Sequence, residues 1–178
     1  MRRTFLLAGV FMAGSLAAQA PALPDTAARR MAMDSLGFLV GDWGGEAWVL
    51  TPSGRQRIWQ TETVRRKLGG QVLLIEGLGR LLTEDGPADT AFQALAVVQW
   101  TPEDGYRMRS TTREGRSGEF DLELTSDGFV WGIAVPSGRV QYTMTRTPDG
   151  EWLERGVFVR DGAPPVPMIE MRLRRTNP

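Results

Sequence analysis

The sequence contains no cysteine and no histidine. Without cysteine there are no disulfides, no thiolate nucleophile, no Cys-ligated zinc site and no iron–sulfur cluster. Without histidine the commonest metal ligand is missing, as are the common proximal haem ligand and every Ser-His or Cys-His catalytic pair. An excess of charge of one sign is also missing. Among 178 residues, 21 basic side chains balance 21 acidic ones, so no strong field for nucleic acid or an anionic membrane surface is expected. Gly-rich phosphate loops, nucleophile elbows and metal-ligand spacings are absent from the sequence too. What is there is ordinary: 42% apolar and 24% charged residues, the composition of one soluble globular domain.

The N-terminus has the three-part layout of a secretory signal. Met1-Arg2-Arg3 is positive, residues 4–18 are apolar or small and uncharged, and both Ala18-Gln19-Ala20 and Ala20-Pro21-Ala22 have the small-x-small form of a cleavage site. The apolar run is shorter than the roughly 20 residues a spanning helix needs. Cutting after Ala22 avoids leaving Pro21 at the first mature position. Residues 1–22 are therefore read as a signal peptide, with no stable membrane anchor after its removal and a periplasmic or secreted destination. Losing Arg2 and Arg3 leaves only a slight negative net charge.

Residues 23–33 form a lead-in and a short helix, with Asp25 or Thr26 as cap and Gly37 and Gly41 ending the helical pattern. From residue 34 to 176 no further helix is evident. Short runs alternate with Gly, Pro and Asp clusters, and the spacing predicts ten strands: 43–50, 57–64, 71–80, 92–100, 106–113, 119–125, 129–135, 139–146, 151–160 and 168–174. Turns this short join antiparallel neighbours. A long meander of this kind predicts an all-β fold, a single antiparallel up-and-down barrel, because closure removes the edges that an open sheet would expose. A sandwich is the alternative.

Alternation divides the strands into two faces. Phe120, Leu122 and Leu124 oppose Glu119, Asp121 and Glu123, and a turn centred near Arg116 would set Arg113 across from Glu119 and Arg109 across from Glu123. That charge ladder belongs on a solvated outer wall in preference to an anion site. Tyr106, Met108, Ser110 and Thr112 lie on the other face; Phe129, Trp131, Ile133 and Val135, and then Val140, Tyr142 and Met144, form further faces of large residues.

The segment Leu36-Gly-Phe-Leu-Val-Gly-Asp-Trp-Gly-Gly-Glu-Ala-Trp48, a short helix and then Gly41-x-Trp43 opening the first strand, resembles the opening motif of the calycins, which include lipocalins, fatty-acid-binding proteins and nitrobindin-like barrels. The resemblance implies a late basic residue packed over Trp43, and Arg172 or Arg174 stands in the matching place. More finely, Phe38-Leu-Val-Gly-Asp-Trp43, Lys67-Leu-Gly-Gly-Gln-Val-Leu-Leu-Ile-Glu-Gly77 and Asp127-Gly-Phe-Val-Trp-Gly132 are similar to uncharacterised bacterial lipocalin-like proteins of the DUF1579 type, over about residues 34–175. Nitrobindin-like barrels bind haem through a histidine, and a chain without histidine does not inherit that route. No cofactor and no metal are expected.

The favoured reading of function is a barrel that holds a small lipophilic molecule. Trp59, Trp131, Tyr142, Met108 and Met144 would supply walls, and Gln60, Glu62, Glu76 or Arg109 a polar anchor. Trp48, Trp100 and Trp152 are assigned to the outer surface or rim. Inward carboxylates would be costly alone and would form an acid/base pair if Glu62 and Glu76 met; a solvated position for both is the plainer expectation, as it is for Glu170 beside Arg172. Two further readings stand: a packed barrel acting as a periplasmic interaction or envelope-maintenance protein, and an enzyme using Glu62 and Glu76.

Overall fold

The structure, a computed structural model, describes residues 26–176. The leader assigned to residues 1–22 lies outside them. Helix α1 (Thr26–Asp34) and a helical turn (Gly37–Leu39) lead into ten strands: β1 (Gly41–Thr51), β2 (Gly54–Lys67), β3 (Val72–Thr83), β4 (Gly86–Thr101), β5 (Gly105–Thr112), β6 (Ser117–Leu124), β7 (Gly128–Val135), β8 (Gly138–Arg146), β9 (Trp152–Val159) and β10 (Val166–Arg175). Each strand pairs antiparallel with the next, and β10 returns to β1, closing the barrel. The expected all-β, ten-stranded up-and-down barrel is therefore observed, and the sandwich alternative is not.

Closure follows from the sequence pattern. Along the strands alternate residues are mostly apolar or small, and one inward set per strand meets at the axis. The inward set is Ile58, Gln60, Glu62 and Val64 on β2, Leu73, Ile75, Gly77 and Gly79 on β3, and Trp152, Glu154 and Gly156 on β9, as fixed by pairings such as Trp43 with Glu62 and Met171 with Glu154.

The two ends of the barrel differ. At one end Val64, Leu73, Val98, Met144 and Leu173 are sealed, and Met33, Leu36 and Leu39 lie over them as a lid. At the other end the inward residues retain accessible surface, reaching 41% for Phe92. The lid is fastened by polar bonds from the wall. The Tyr106 hydroxyl donates to the Ala32 carbonyl at 2.6 Å, the Trp43 indole N–H to Leu39 O at 2.7 Å, and Arg66 pairs with Asp34 at 2.9 Å.

The cation over Trp43 is Arg175, not Arg172 or Arg174. Its guanidinium lies 4.4 Å from the ring centroid and donates to Val40 O at 2.7 Å and Phe38 O at 2.8 Å. Register is the reason: Arg175 pairs with Trp43 across β10 and β1 and shares its face. Arg172 and Arg174 lie on the outer face, where both bind Glu151, at 2.6 and 2.7 Å, and hold its carboxyl below the ordinary range.

The ladder between β5 and β6 also differs from expectation. Arg109 stands opposite Glu119 and Arg107 opposite Asp121. A tight turn, with Thr112 N–H donating to Arg116 O and Gly115 N–H to Thr112 O, moves the hairpin's centre back toward Glu114. The shift is an even number of residues, so the faces are unchanged and the charges remain outside. The polar stretch after Thr83, outside the expected strands, is a tight turn at Glu84 and Asp85 followed at once by β4 from Gly86, and the β3–β4 hairpin runs on past two register shifts. Between β6 and β7 the ladder is short, with Glu123 opposite Val130 and Leu124 opposite Phe129, both at the sealed end.

Replacing Arg175 with alanine is expected to cost about 1–2 kcal/mol, through two carbonyl bonds and the indole stack. Arg174→Ala, which removes one exposed ion pair, should cost about 0–1 kcal/mol. Denaturant midpoints measure both, and equal losses would contradict the role given to the stack.

Candidate functional site

The lumen between the sealed floor and the open end is where chemistry gathers. Inward positions of β2 carry Gln60 and Glu62, 6% and 7% exposed. Two glycines opposite make room for them: a Cβ on Gly77 would stand 2.8 Å from Glu62 Oε1, and one on Gly79 2.7 Å from Gln60 Oε1. Gln60 Nε2 donates to Glu62 Oε1 at 2.7 Å.

Across the lumen β9 contributes Glu154. Its two oxygens accept from two indoles, Oε1 from Trp131 Nε1 at 3.3 Å and Oε2 from Trp152 Nε1 at 3.2 Å. Trp131 stacks on Tyr142 at 4.2 Å between centroids and meets Phe120 at 5.3 Å, while Trp152 stands edge-on to Trp43 at 5.9 Å. The floor is thus two carboxyl groups and an amide enclosed by aromatic rings.

Electrostatics follow from that enclosure. Burial pushes the Glu62 carboxyl up to about 8; the Gln60 bond offsets part of the rise and the neighbouring Glu154 adds to it. Burial raises Glu154 as well, against the lowering effect of its two indole donors, and raises the Tyr142 phenol, with Glu154 adding to that shift. Two acids share a low-dielectric space, so each opposes the other's ionisation.

The polar groups of the floor are only partly satisfied. Among the described residues no hydrogen bond reaches Glu62 Oε2, Gln60 Oε1 or the Tyr142 hydroxyl. Trp131, Tyr142 and Glu154 point inward yet keep part of their surface accessible. Inward side chains do so only where space adjoins them. A groove outside, about 580 Å³ near Phe38, Asp149 and Arg174, is different: its Arg174 and Arg175 are already engaged by Glu151 and the lid carbonyls.

The residues singled out from the sequence divide accordingly. Gln60, Glu62, Trp131 and Tyr142 come together at the floor, and Met108 and Met144 are buried in the packed core. Trp59, Glu76 and Arg109 do not join them. The Trp59 ring lies on the outer face against Gly44, Glu76 is exposed outside, and Arg109 pairs with Glu119 in the outer ladder. Their strands alternate with the opposite phase: Trp59 neighbours inward Ile58 and Gln60, and Glu76 neighbours inward Ile75 and Gly77. Trp152 is not at the rim but buried in the floor, and Trp100 packs on the core. Glu154 went unrecognised. Its signal was present in the alternation of Trp152, Glu154, Gly156 and Phe158, which puts an acid on an aromatic face.

No protein-family model matches the chain and no curated protein matches it. Among solved structures, the crystal structure of Rv2717c from M. tuberculosis aligns with a TM-score of 0.60 at 13% identity, over 82% of this chain and 98% of that one. At that identity the likeness speaks to fold alone.

The raised acid has a measurable consequence. Between the free value of 4.5 and the folded value of about 8, the folded chain keeps a proton that the unfolded chain has lost. Stability therefore falls as pH rises through that window and levels off above it. At about 1.4 kcal/mol per pKa unit the full effect amounts to a few kcal/mol. Glu62→Gln, which keeps the shape without the charge, should melt higher than the parent at about pH 8 and show a flatter Tm profile down to about pH 5. An unchanged slope would place the titration elsewhere.

Proposed function

We propose that the barrel binds a small, largely apolar molecule in its lumen, with the polar end of that molecule on the floor formed by Gln60, Glu62 and Glu154. The observation that carries this reading is the set of unpartnered inward atoms, Glu62 Oε2, Gln60 Oε1 and the Tyr142 hydroxyl, beside ring faces that remain accessible. These atoms have no protein partner yet keep accessible surface, so a guest can reach and satisfy them. A floor of that kind under an open end suits a guest with one polar end and an apolar body. The enzyme reading based on Glu62 and Glu76 lacks its pair, because Glu76 faces solvent.

Export completes the proposal. The layout of residues 1–22 supports a periplasmic or secreted protein, and the three motif segments at 38–43, 67–77 and 127–132 support placing the chain with the lipocalin-like DUF1579 type.

Two measurements test this. Titrating the full chain with octanol and longer alcohols should change its tryptophan emission, because Trp131 and Trp152 line the floor. Ser110→Phe, which fills an inward position near the open end, should weaken the response at least about tenfold, or about 1.4 kcal/mol. A flat response from the parent chain refutes lumen binding. Expressed with its own N-terminus in a bacterium, the protein should be found outside the cytoplasm and begin after Ala22; an uncleaved cytoplasmic product refutes export.

A further inference from the structure

The polar end of the guest can be specified by charge. Among the described residues the basic side chains at inward positions of the ladder, Arg66, Arg146 and Arg175, all stand at the sealed end, where Arg66 pairs with Asp34 of the lid and Arg175 is held by the Trp43 face and the carbonyls of Phe38 and Val40. Arg57, Arg107, Arg109, Arg155, Arg172 and Arg174 all point outward, and each has an acidic partner there. The lumen thus holds two carboxyl groups and no cation to balance them.

The groups that face Glu62 are few. From β1 come Trp43 and Gly45, from β2 Gln60, from β3 Gly77 and Gly79, and from across the lumen Glu154 with Tyr142 and the two indoles. None is a cation. Glu62, more than nine-tenths buried, nevertheless keeps Oε2 without a partner, and Gln60, equally buried, keeps Oε1.

We propose that the ligand of the lumen is a lipophilic protonated amine, whose ammonium group is held between Glu62 and Glu154 against the Trp131–Tyr142 stack. This rests on the lumen-binding reading and deepens it. An ammonium group brings only donors and therefore matches a floor whose free atoms, Gln60 Oε1 and Glu62 Oε2 once its proton has left, are acceptors. It brings the missing positive charge, so ion pairing with a buried carboxylate replaces the penalty of two neighbouring acids. Indole and phenol faces attract the same charge through their quadrupoles. A fatty-acid carboxylate would meet two acids and no cation, and an alcohol would gain none of the charge pairing. Amine binding also moves a proton. Glu62 enters the complex ionised, and the proton it held in the free protein passes to the buffer.

The test compares octylamine, octanol and octanoate, equal in chain length and differing in head group, by calorimetry and tryptophan emission on the full chain at neutral pH. The amine is expected to bind at least about tenfold more tightly than the alcohol, with octanoate weakest. Proton release is expected for the amine alone, seen as a binding heat that changes with the buffer's ionisation enthalpy. In Glu62→Gln and Glu154→Gln chains the ratio of amine to alcohol affinity should shrink toward one, and the proton release should be lost in Glu62→Gln. The ranking in the parent chain stands even if a variant fails to fold. Alcohol and amine binding equally, or octanoate binding best, overturns the amine assignment and leaves lumen binding intact. Failure of all three to bind overturns lumen binding itself.

Discussion

The Trp43 indole is the contact on which the rest of the barrel depends. It sits where the lid becomes the wall, gives its N–H to the lid at Leu39, and receives on its face a guanidinium from the last strand that is itself bonded to the lid. First strand, last strand and lid are thereby joined through one side chain. A closed sheet has no free edge, but closing it requires the two chain ends to meet, at an entropic cost that local turns do not offset. The indole and Arg175 hold that junction at the place where the strands also pair, Trp43 opposite Arg175.

A tightly fastened end permits a loosely satisfied interior. The lid side is packed with Leu, Val and Met that have no accessible surface, and this is where the barrel's stability is concentrated. Further in, glycines replace side chains opposite Gln60 and Glu62, and the chain places carboxyl groups where its fold would prefer methyl groups. Features of this kind lower stability and gather at functional sites. A purely structural barrel would gain from Leu or Met at position 62, and this chain instead has an acid there whose burial raises its pKa.

The architecture was legible because strand period and turn residues are local properties. Gly and Pro clusters marked the hairpins, and alternation separated the charged wall from the apolar one. Position 43 and the need for a cation over it were also legible from the motif. The identity of that cation was not, since three arginines crowd residues 172–175 and only the register between β1 and β10 selects Arg175. The floor was half legible for a similar reason. Alternation groups Glu62 with Ile58 and Gln60, and Glu76 with Leu74 and Leu78, but it does not say which group turns inward. The glycines at 77 and 79 decide it: they lie on the inner face of β3, which leaves Glu76 outside. Glu154 belongs to the strand farthest in sequence from Glu62 among those that form the floor, apart from β10, and no local pattern joins two residues that meet only across a closed barrel.

The ladder between β6 and β7 is the shortest in the wall, with two residue pairs, and beyond them the Phe120 and Trp131 rings, 5.3 Å apart, bridge the two strands. A seam held there by side chains can open without breaking ladder bonds, and an opened seam no longer sets the length of what the barrel holds. A guest fixed by its head at the floor could trail its tail through the gap, and the chain would then discriminate by head group while tolerating a range of tail lengths.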